Sequence, residues 1–232
     1  MSNNAKLTGN IAAVSALADE TRRSLYLYVC AQPHPVSRDQ AAAAAQVAVH
    51  TAKFHLDKLE AAGLLVTSYA RTSGKSGPGA GRSAKLYERS ALELDVSLPA
   101  RDYVLAGELM AQAIARASRD GDEIAQALRD VAREKGVSLA ASLEKTGTDA
   151  ATAFELAVTT LRGLGYEPRV EGDHVVMANC PFHRLAGAHT ELVCGMNHDM
   201  LSAFTESVAP GVLRADLDPA PGRCCVTLCA VE

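Results

Sequence analysis

The stretch Arg38–Leu65 constrains this chain more than any other. It predicts two short helices separated by a tight break near Gln46 and Val47. In the second helix Val49, Ala52, Leu56 and Leu59 recur at spacings of three and four, so they form one stripe that wants burial. Gly63 stands where a left-handed residue closes such a helix, and Leu64 and Leu65 return to the core. The opposite face carries His50, Thr51, Lys53, Phe54, Asp57 and Lys58. Hydrogen-bonding and cationic groups near the start of a short amphipathic helix are what a recognition helix offers a DNA major groove. A surface helix of any small bundle has the same stripe, so the flanking segments must decide.

Upstream, Ile11–Cys30 predicts a single helix that Pro33 and Pro35 stop, with Cys30 as a small core residue. Arg22 and Arg23 lie where they could touch phosphate. Downstream, Leu65–Ala70 is β-branched and apolar, a strand, and Ala84–Arg89 is its return strand. Between them runs a glycine-rich basic loop, Arg71 to Arg82, that cannot pack a core. This hairpin carries Arg71, Lys75, Arg82, Lys85 and Arg89 against one acid. Such a cationic loop can follow a phosphate track or enter a minor groove. A nucleotide-binding phosphate loop is the rival reading, and it fails because no helix opens after the loop. Helix, helix-turn-helix and basic wing, in that order, specify a winged helix.

Residues 11–90 resemble the winged-helix domain of ArsR-like bacterial transcriptional regulators. His55-Leu56-Asp57-Lys58-Leu59 with Gly63-Leu64-Leu65 carries the likeness in the recognition helix, and Gly81-Arg82-Ser83-Ala84-Lys85-Leu86-Tyr87 carries it in the wing. The family usually has proline where Ser83 stands. The resemblance implies double-stranded DNA as the partner, with His50, Thr51, Lys53, Phe54, Lys58, Lys75, Arg82 and Lys85 as the contacting residues. His55 is then an orienting or packing residue. Charge agrees: residues 1–90 hold 11 basic and 6 acidic side chains, the remaining 142 hold 12 and 21, so only one end attracts an anionic partner.

With 232 residues, 48% of them hydrophobic, the chain has room for two modest domains. No apolar run approaches membrane-spanning length and the first residues lack a signal-peptide pattern, so a soluble cytoplasmic protein is expected. Tyr103, Leu105, Ala106, Leu109, Met110, Ala113 and Ile114 form one helical stripe that Gly121 breaks. Ile124, Ala125, Leu128, Val131 and Ala132 form a second, ending near Gly136. Such helices commonly pair with a copy of themselves, and two-fold repressors read inverted repeats, so a homodimer is expected. From Thr148 a helix, two strands, a second helix and two more strands make a small α+β domain. The expected division is a winged-helix domain (1–92), central dimerisation helices (93–147) and a C-terminal sensor domain (148–232), an α+β protein overall. No nucleophile–base pairing or nucleotide fingerprint supports an enzyme.

Five of the six cysteines, Cys180, Cys194, Cys224, Cys225 and Cys229, lie in the last 53 residues, a concentration that demands a role. Disulfides do not suit a reducing compartment. A structural zinc site usually shows a Cys-x-x-Cys knuckle, absent here, whereas an iron–sulfur cluster accepts widely spaced thiolates. Spacing leaves zinc and cluster both open. Strand alternation turns Cys224 and Cys225 to opposite faces and puts Cys229 with Cys225, so only one of the vicinal pair is expected to face Cys180 and Cys194.

The whole chain is similar to SufR-type regulators of iron–sulfur cluster assembly genes. Asn179-Cys180-Pro181-Phe182, then Cys194, then Gly222-Arg223-Cys224 carry that likeness. The resemblance implies a [4Fe–4S] cluster in the C-terminal domain, held by Cys180, Cys194 and Cys224, and a cluster-loaded dimer that represses its operon. Cyanobacterial members carry a fourth cysteine in the segment that is Met196–Ser207 here, and this chain has none there. His183, His189, His198 and Cys225 are the candidates for the fourth ligand, and His183, close to Cys180, is the one expected. A zinc or thiol sensor of the same fold, and a cysteine redox enzyme with an accessory DNA-binding domain, are the alternatives.

Overall fold

The computed structural model describes residues 3–70, 83–143 and 150–231. The chain divides into two compact units, Met1–Val96 and Ser97–Glu232.

The first unit runs α1 (Asn3–Ala16), α2 (Glu20–Ala31), β1 (Val36–Ser37), α3 (Arg38–Ala44), α4 (Val49–Ala61), β2 (Leu65–Ala70) and β3 (Ala84–Arg89). The single helix expected over Ile11–Cys30 is two. Asp19 accepts from the Arg22 backbone N–H at 2.8 Å and so caps α2, a start signal hidden inside an apolar pattern. Arg22 Nε donates to the Ala16 carbonyl and Arg23 Nη1 to the Leu17 carbonyl at 3.0 Å, so both arginines tie down the end of α1.

Ser37 and Gln40 form a reciprocal capping box that opens α3. The break before α4 is made by Gln46 in the left-handed region, φ 54°. Gly63, φ 73°, closes α4 as the spacing predicts. Ala52, Leu56 and Leu59 are fully buried against Leu25, Val29 and Tyr87. Val49, the first residue of α4, is 41% exposed instead, because the stripe only reaches the core one turn later. Strands β2 and β3 pair antiparallel from Leu65 opposite Arg89 to Ala70 opposite Ala84, and β1 adds to the other edge of β3. Two residues are too few to carry a period, so β1 had no sequence signal.

The second unit runs α5 (Tyr103–Asp120), α6 (Ile124–Ala141), α7 (Ala150–Gly163), β4 (Pro168–Glu171), β5 (His174–Met177), α8 (His183–Ala188), α9 (Thr190–Val208), β6 (Leu213–Leu217) and β7 (Val226–Ala230). Its sheet is fully antiparallel in the order β4-β5-β7-β6. Leu109 of α5, Val131 of α6, Met200 and Phe204 of α9 and Val226 of β7 belong to one core. The stripe residues Leu105, Ala106, Leu109 and Ala113 are therefore buried within the chain, while Ile114 is 53% exposed.

Helix α6 does not end at Gly136. It continues to Ala141, because Gly136 is where α9 crosses at closest range: a Cβ there would stand 2.1 Å from the Met200 carbonyl oxygen. The glycine is a packing residue, and its position in the helix interior is the cost of that contact.

Candidate functional site: nucleic-acid interface and thiol cluster

Helix α4 presents His50, Lys53, Phe54 and Lys58 to solvent, with Thr51 half-buried beside them. Phe54 is 57% exposed, and the Lys58 ammonium lies 5.7 Å from its ring centroid. A large apolar ring on a cationic face is stabilised there by the neighbouring charge and is available to a partner. Ala48 gives α4 no side-chain cap, so its first backbone N–H groups stay available. His55 turns inward instead. Its Nδ1 is buried with no hydrogen-bond partner, 3.8 Å from the Asp19 carboxylate that starts α2.

Lys75 and Arg82 lie outside the described residues, as does the loop Arg71 to Arg82. Lys85, expected on the wing as a phosphate contact, is engaged elsewhere. Its Nζ bridges Asp57 Oδ1 at 3.1 Å and Glu60 Oε2 at 2.5 Å, both on α4. Tyr87 Oη donates to the same Asp57 oxygen at 3.1 Å, and Thr67 donates to Glu60 at 2.7 Å. Burial alone would pull the Lys85 ammonium down, but the two carboxylates outweigh it and hold it above its ordinary value. Glu60 is correspondingly held below the usual glutamate range, first by its hydrogen bond from Lys85. Burial, with the Asp57 bond, pushes the Tyr87 phenol up to about 12. This network clamps the wing strands β2 and β3 to α4. Lys85 here positions the hairpin relative to the exposed face of α4.

The second constellation is made of thiols. Cys180 lies in the loop after β5, Cys194 in the first turns of α9, and Cys224 and Cys225 just before β7. Cys224 donates to Cys180, and Cys194 Sγ stands 2.8 Å from Cys225 Sγ. The two pairs lie close enough for the Cys180 charge to act on Cys194 and that of Cys225 on Cys224. Strand alternation does not apply to the vicinal pair, because β7 begins only at Val226 and the chain bends at Cys225. Cys224 N–H donates to the Met177 carbonyl at 2.8 Å, and Asp218 N–H, one step beyond the Leu217–Val226 pair, donates to the Cys225 carbonyl at 2.7 Å. Cys229 lies within β7, where its thiol interacts with Asp216 and Thr227.

Polar groups converge on these sulfurs. The Phe182 and Val226 backbone N–H groups hydrogen-bond Cys180 and Cys224, and Asn197 Nδ2 donates to Cys224 at 3.4 Å. Tyr166, wholly buried, donates to Asn197 Oδ1 and so orients that amide. Arg101 donates to the Cys180 carbonyl at 3.1 Å and to Asn179 Oδ1, bringing a positive charge to the loop. Asn179 in turn holds the loop through its amide to the Ala100 carbonyl at 2.9 Å and the Gly165 carbonyl at 2.7 Å. The hydrogen bond from Cys224, helped by the Phe182 N–H and Arg101, draws the Cys180 thiol down to about 7. Donating that bond, together with burial, drives Cys224 far up, and burial first, then Cys225, pushes Cys194 up to about 12.

His183 begins α8 with an exposed side chain, His189 is exposed, and His198 Nε2 lies 3.2 Å from the Ala215 carbonyl. Cys225 stands beside Cys194. Among the described residues no three His, Cys, Asp or Glu side chains converge as a single metal ion requires. A tetrahedral thiolate site for one ion needs sulfurs about 3.8 Å apart on every edge, given metal–sulfur bonds near 2.3 Å. A cluster is different, since each thiolate takes its own iron, so Cys180, Cys194 and Cys224 can meet separate corners, whereas the 2.8 Å between Cys194 and Cys225 is a contact of two thiols and not the spacing of ligands on two irons. The thiols of Cys180, Cys194 and Cys224, N–H donors near sulfur and one nearby cation are a donor set whose chemistry suits such a cluster.

Arg101, Asn197, Tyr166 and Cys225 are thus part of the site. Only Cys225 had a sequence signal, its place in the cysteine-rich end. The other three are brought in by packing.

The family of helix-turn-helix domains matches residues 17–68, which run from just after α1 into β2. The match covers α2, α3, α4 and most of β2 and points to a DNA-binding transcriptional regulator. No curated protein and no solved structure matches the chain. Among the described residues no helix is long and apolar enough to cross a membrane.

Proposed function

We propose that this protein is a transcriptional repressor that binds an inverted-repeat DNA operator as a homodimer under the control of an iron–sulfur cluster, [4Fe–4S] in type. Cys180, Cys194 and Cys224 supply thiolates to that cluster. The gathering of thiols from three segments far apart in sequence, under N–H donors and beside Arg101, is the observation that carries the reading. The helix-turn-helix match and the exposed cationic face of α4 support the DNA half of it.

When bound, the cluster supplies a centre that oxidants can damage. The chain's own residues do the rest. Cys180 ties the loop after β5, Cys194 ties α9, and Cys224 ties the approach to β7, so a shared ligand cross-links three segments of the second unit. Asn197 and the two backbone N–H groups stabilise the thiolate form of their sulfurs, and Arg101 offsets accumulated negative charge. Loss of the shared ligand releases those segments, and a ligand that favours one conformation shifts DNA affinity by that preference and no more. Dimerisation through the exposed side of α5, where Val104 and Ile114 lie, would supply the second half-site contact.

The deciding experiment is anaerobic purification followed by iron, zinc and acid-labile sulfide analysis, with operator binding measured before and after cluster removal by chelation. Iron and sulfide in equal amounts, with affinity falling on removal, is the expected result. Zinc without iron would replace the cluster reading with that of a metal sensor.

A further inference from the structure

We infer that Cys194 and Cys225 are a redox-sensitive thiol pair, which a peroxide closes into a disulfide in the cluster-free protein and a dithiol reopens. The pair itself does not need the cluster reading above; its effect on cluster loading rests on that reading.

Three observations carry it. Cys225 Sγ is 2.8 Å from Cys194 Sγ, so the sulfurs close by only about 0.8 Å to reach a disulfide bond length of about 2.05 Å. Both backbones are held in place. Cys194 lies one turn into α9, and the segment before β7 is fixed on two sides: Cys224 N–H donates to the Met177 carbonyl, and the Cys225 carbonyl accepts from Asp218 N–H in continuation of the β6–β7 ladder. The two thiols also differ in exposure, since Cys225 is half-buried and Cys194 is buried. One thiol that a reagent can reach, in contact with a buried second thiol, is an arrangement in which an oxidised sulfur is resolved before it oxidises further.

The step balances with a peroxide as the oxidant. The Cys225 sulfur attacks one peroxide oxygen and the O–O bond breaks. The departing oxygen takes the Cys225 proton and leaves as water or an alcohol, and Cys225 becomes a sulfenic acid. The Cys194 sulfur then attacks the Cys225 sulfur, the S–O bond breaks, and hydroxide leaves as water with the Cys194 proton. The two thiols lose two electrons and two protons, and the peroxide gains them. A dithiol reverses the bond by exchange through a mixed disulfide. Once formed, the bond ties the first turns of α9 to the approach to β7, between cysteines 31 residues apart. A Cys194 sulfur in that bond has no thiolate to give an iron, so oxidised protein cannot load a cluster until it is reduced. A transient bond of this kind suits a reducing compartment, where lasting disulfides are rare.

The test uses the full-length chain, freed of metal by a chelator and fully reduced, with Cys225→Ser and Cys229→Ser beside it. Hydrogen peroxide is added, free thiols are counted, and linked peptides are mapped by mass spectrometry without reduction. In the first phase the six thiols of the wild type should fall to four as Cys194 and Cys225 become linked, and dithiothreitol should restore six. Cys229→Ser should form the same link. Cys225→Ser should lose thiols roughly tenfold more slowly and show no link through Cys194. Offered ferrous iron and sulfide anaerobically, oxidised wild type should take up roughly tenfold less iron than reduced wild type, and dithiothreitol should restore the uptake. Far-UV circular dichroism establishes that each variant is folded. Six thiols persisting in folded wild type after excess peroxide, or a first link between Cys180 and Cys224, overturns the inference. Cluster loading without the Cys194–Cys225 bond therefore leaves the cluster reading and removes the pair. Formation of the bond in a protein that never takes up iron supports the pair and overturns the cluster reading.

Discussion

Two glycines in neighbouring helices should respond in opposite directions to the same substitution. Gly136→Ala places a methyl group 2.1 Å from the Met200 carbonyl oxygen, 2.9 Å from the Phe204 nitrogen and 3.0 Å from the Ala203 Cβ. Two of these are backbone atoms of α9 and cannot rotate away, so α6 and α9 must move apart. Overpacking of a close-packed interior costs about 1–3 kcal/mol, and the backbone contacts put this case at the upper end. Alanine returns about 1 kcal/mol through its better helix propensity, leaving a net loss of roughly 2 kcal/mol. In Gly107→Ala the new methyl group meets nothing within 4 Å, on the solvent side of α5. Only the propensity term remains there, a gain of about 1 kcal/mol. For a unit of this size the two changes correspond to a melting temperature lower by roughly 6–10 °C and higher by roughly 3–5 °C. Scanning calorimetry of the full chain measures both, and hydrogen exchange over α6 and α9 assigns the transition to the second unit. If Gly136→Ala stabilised the protein as Gly107→Ala does, the close crossing of α6 and α9 would be refuted.

Other expectations follow from the network, the recognition face and the exposed side of α5. Lys85→Ala should weaken DNA binding by loosening the wing from α4 without changing the salt slope; a slope smaller by about 0.9 would mean that Lys85 meets a phosphate directly. Glu60 is held below its ordinary value, so its contribution is present above pH 4.5 and is lost as pH falls through its lowered folded value. The partner side, Lys85, is raised and stays charged through neutral pH, so Glu60→Gln should lower the melting temperature of the first unit at pH 7–9, and its difference from wild type should shrink as pH falls below 4.5. Thr51→Ala and Lys53→Ala should narrow the gap between operator and random DNA, read by competition binding; equal losses on both would make these residues phosphate contacts. Ile114→Glu should yield a folded monomer by light scattering, whereas a charge at the buried Leu109 should unfold the second unit.

The helix-turn-helix was legible because its signals are local. The three-and-four spacing of Ala52, Leu56 and Leu59, the closing Gly63 and the apolar β2 each act within a few residues of themselves, and each is where the pattern puts it. The order of elements after Thr148 was legible for the same reason, down to α9 running from Thr190 to Val208, except for the six-residue α8, too short to show a helical period. Reading Ile11–Cys30 as one helix failed on a local signal overlooked, the capping carboxylate of Asp19.

Other features depend on residues distant in the sequence. Gly136 looks like a helix end until α9 lies across it, and only then does the missing side chain become a contact surface. Lys85 counts as one more wing cation until β3 pairs with β2 and swings it onto Asp57 and Glu60. The cysteine-rich end announces itself in the sequence, but which sulfurs meet depends on where a strand begins. Alternation is a property of pleated backbone, and β7 begins only at Val226, after a bend at Cys225. Residue types and local periods therefore determined the elements and the chemistry available. The long-range contacts decided which groups face one another, because a side chain's direction is set by the backbone that other segments hold in place.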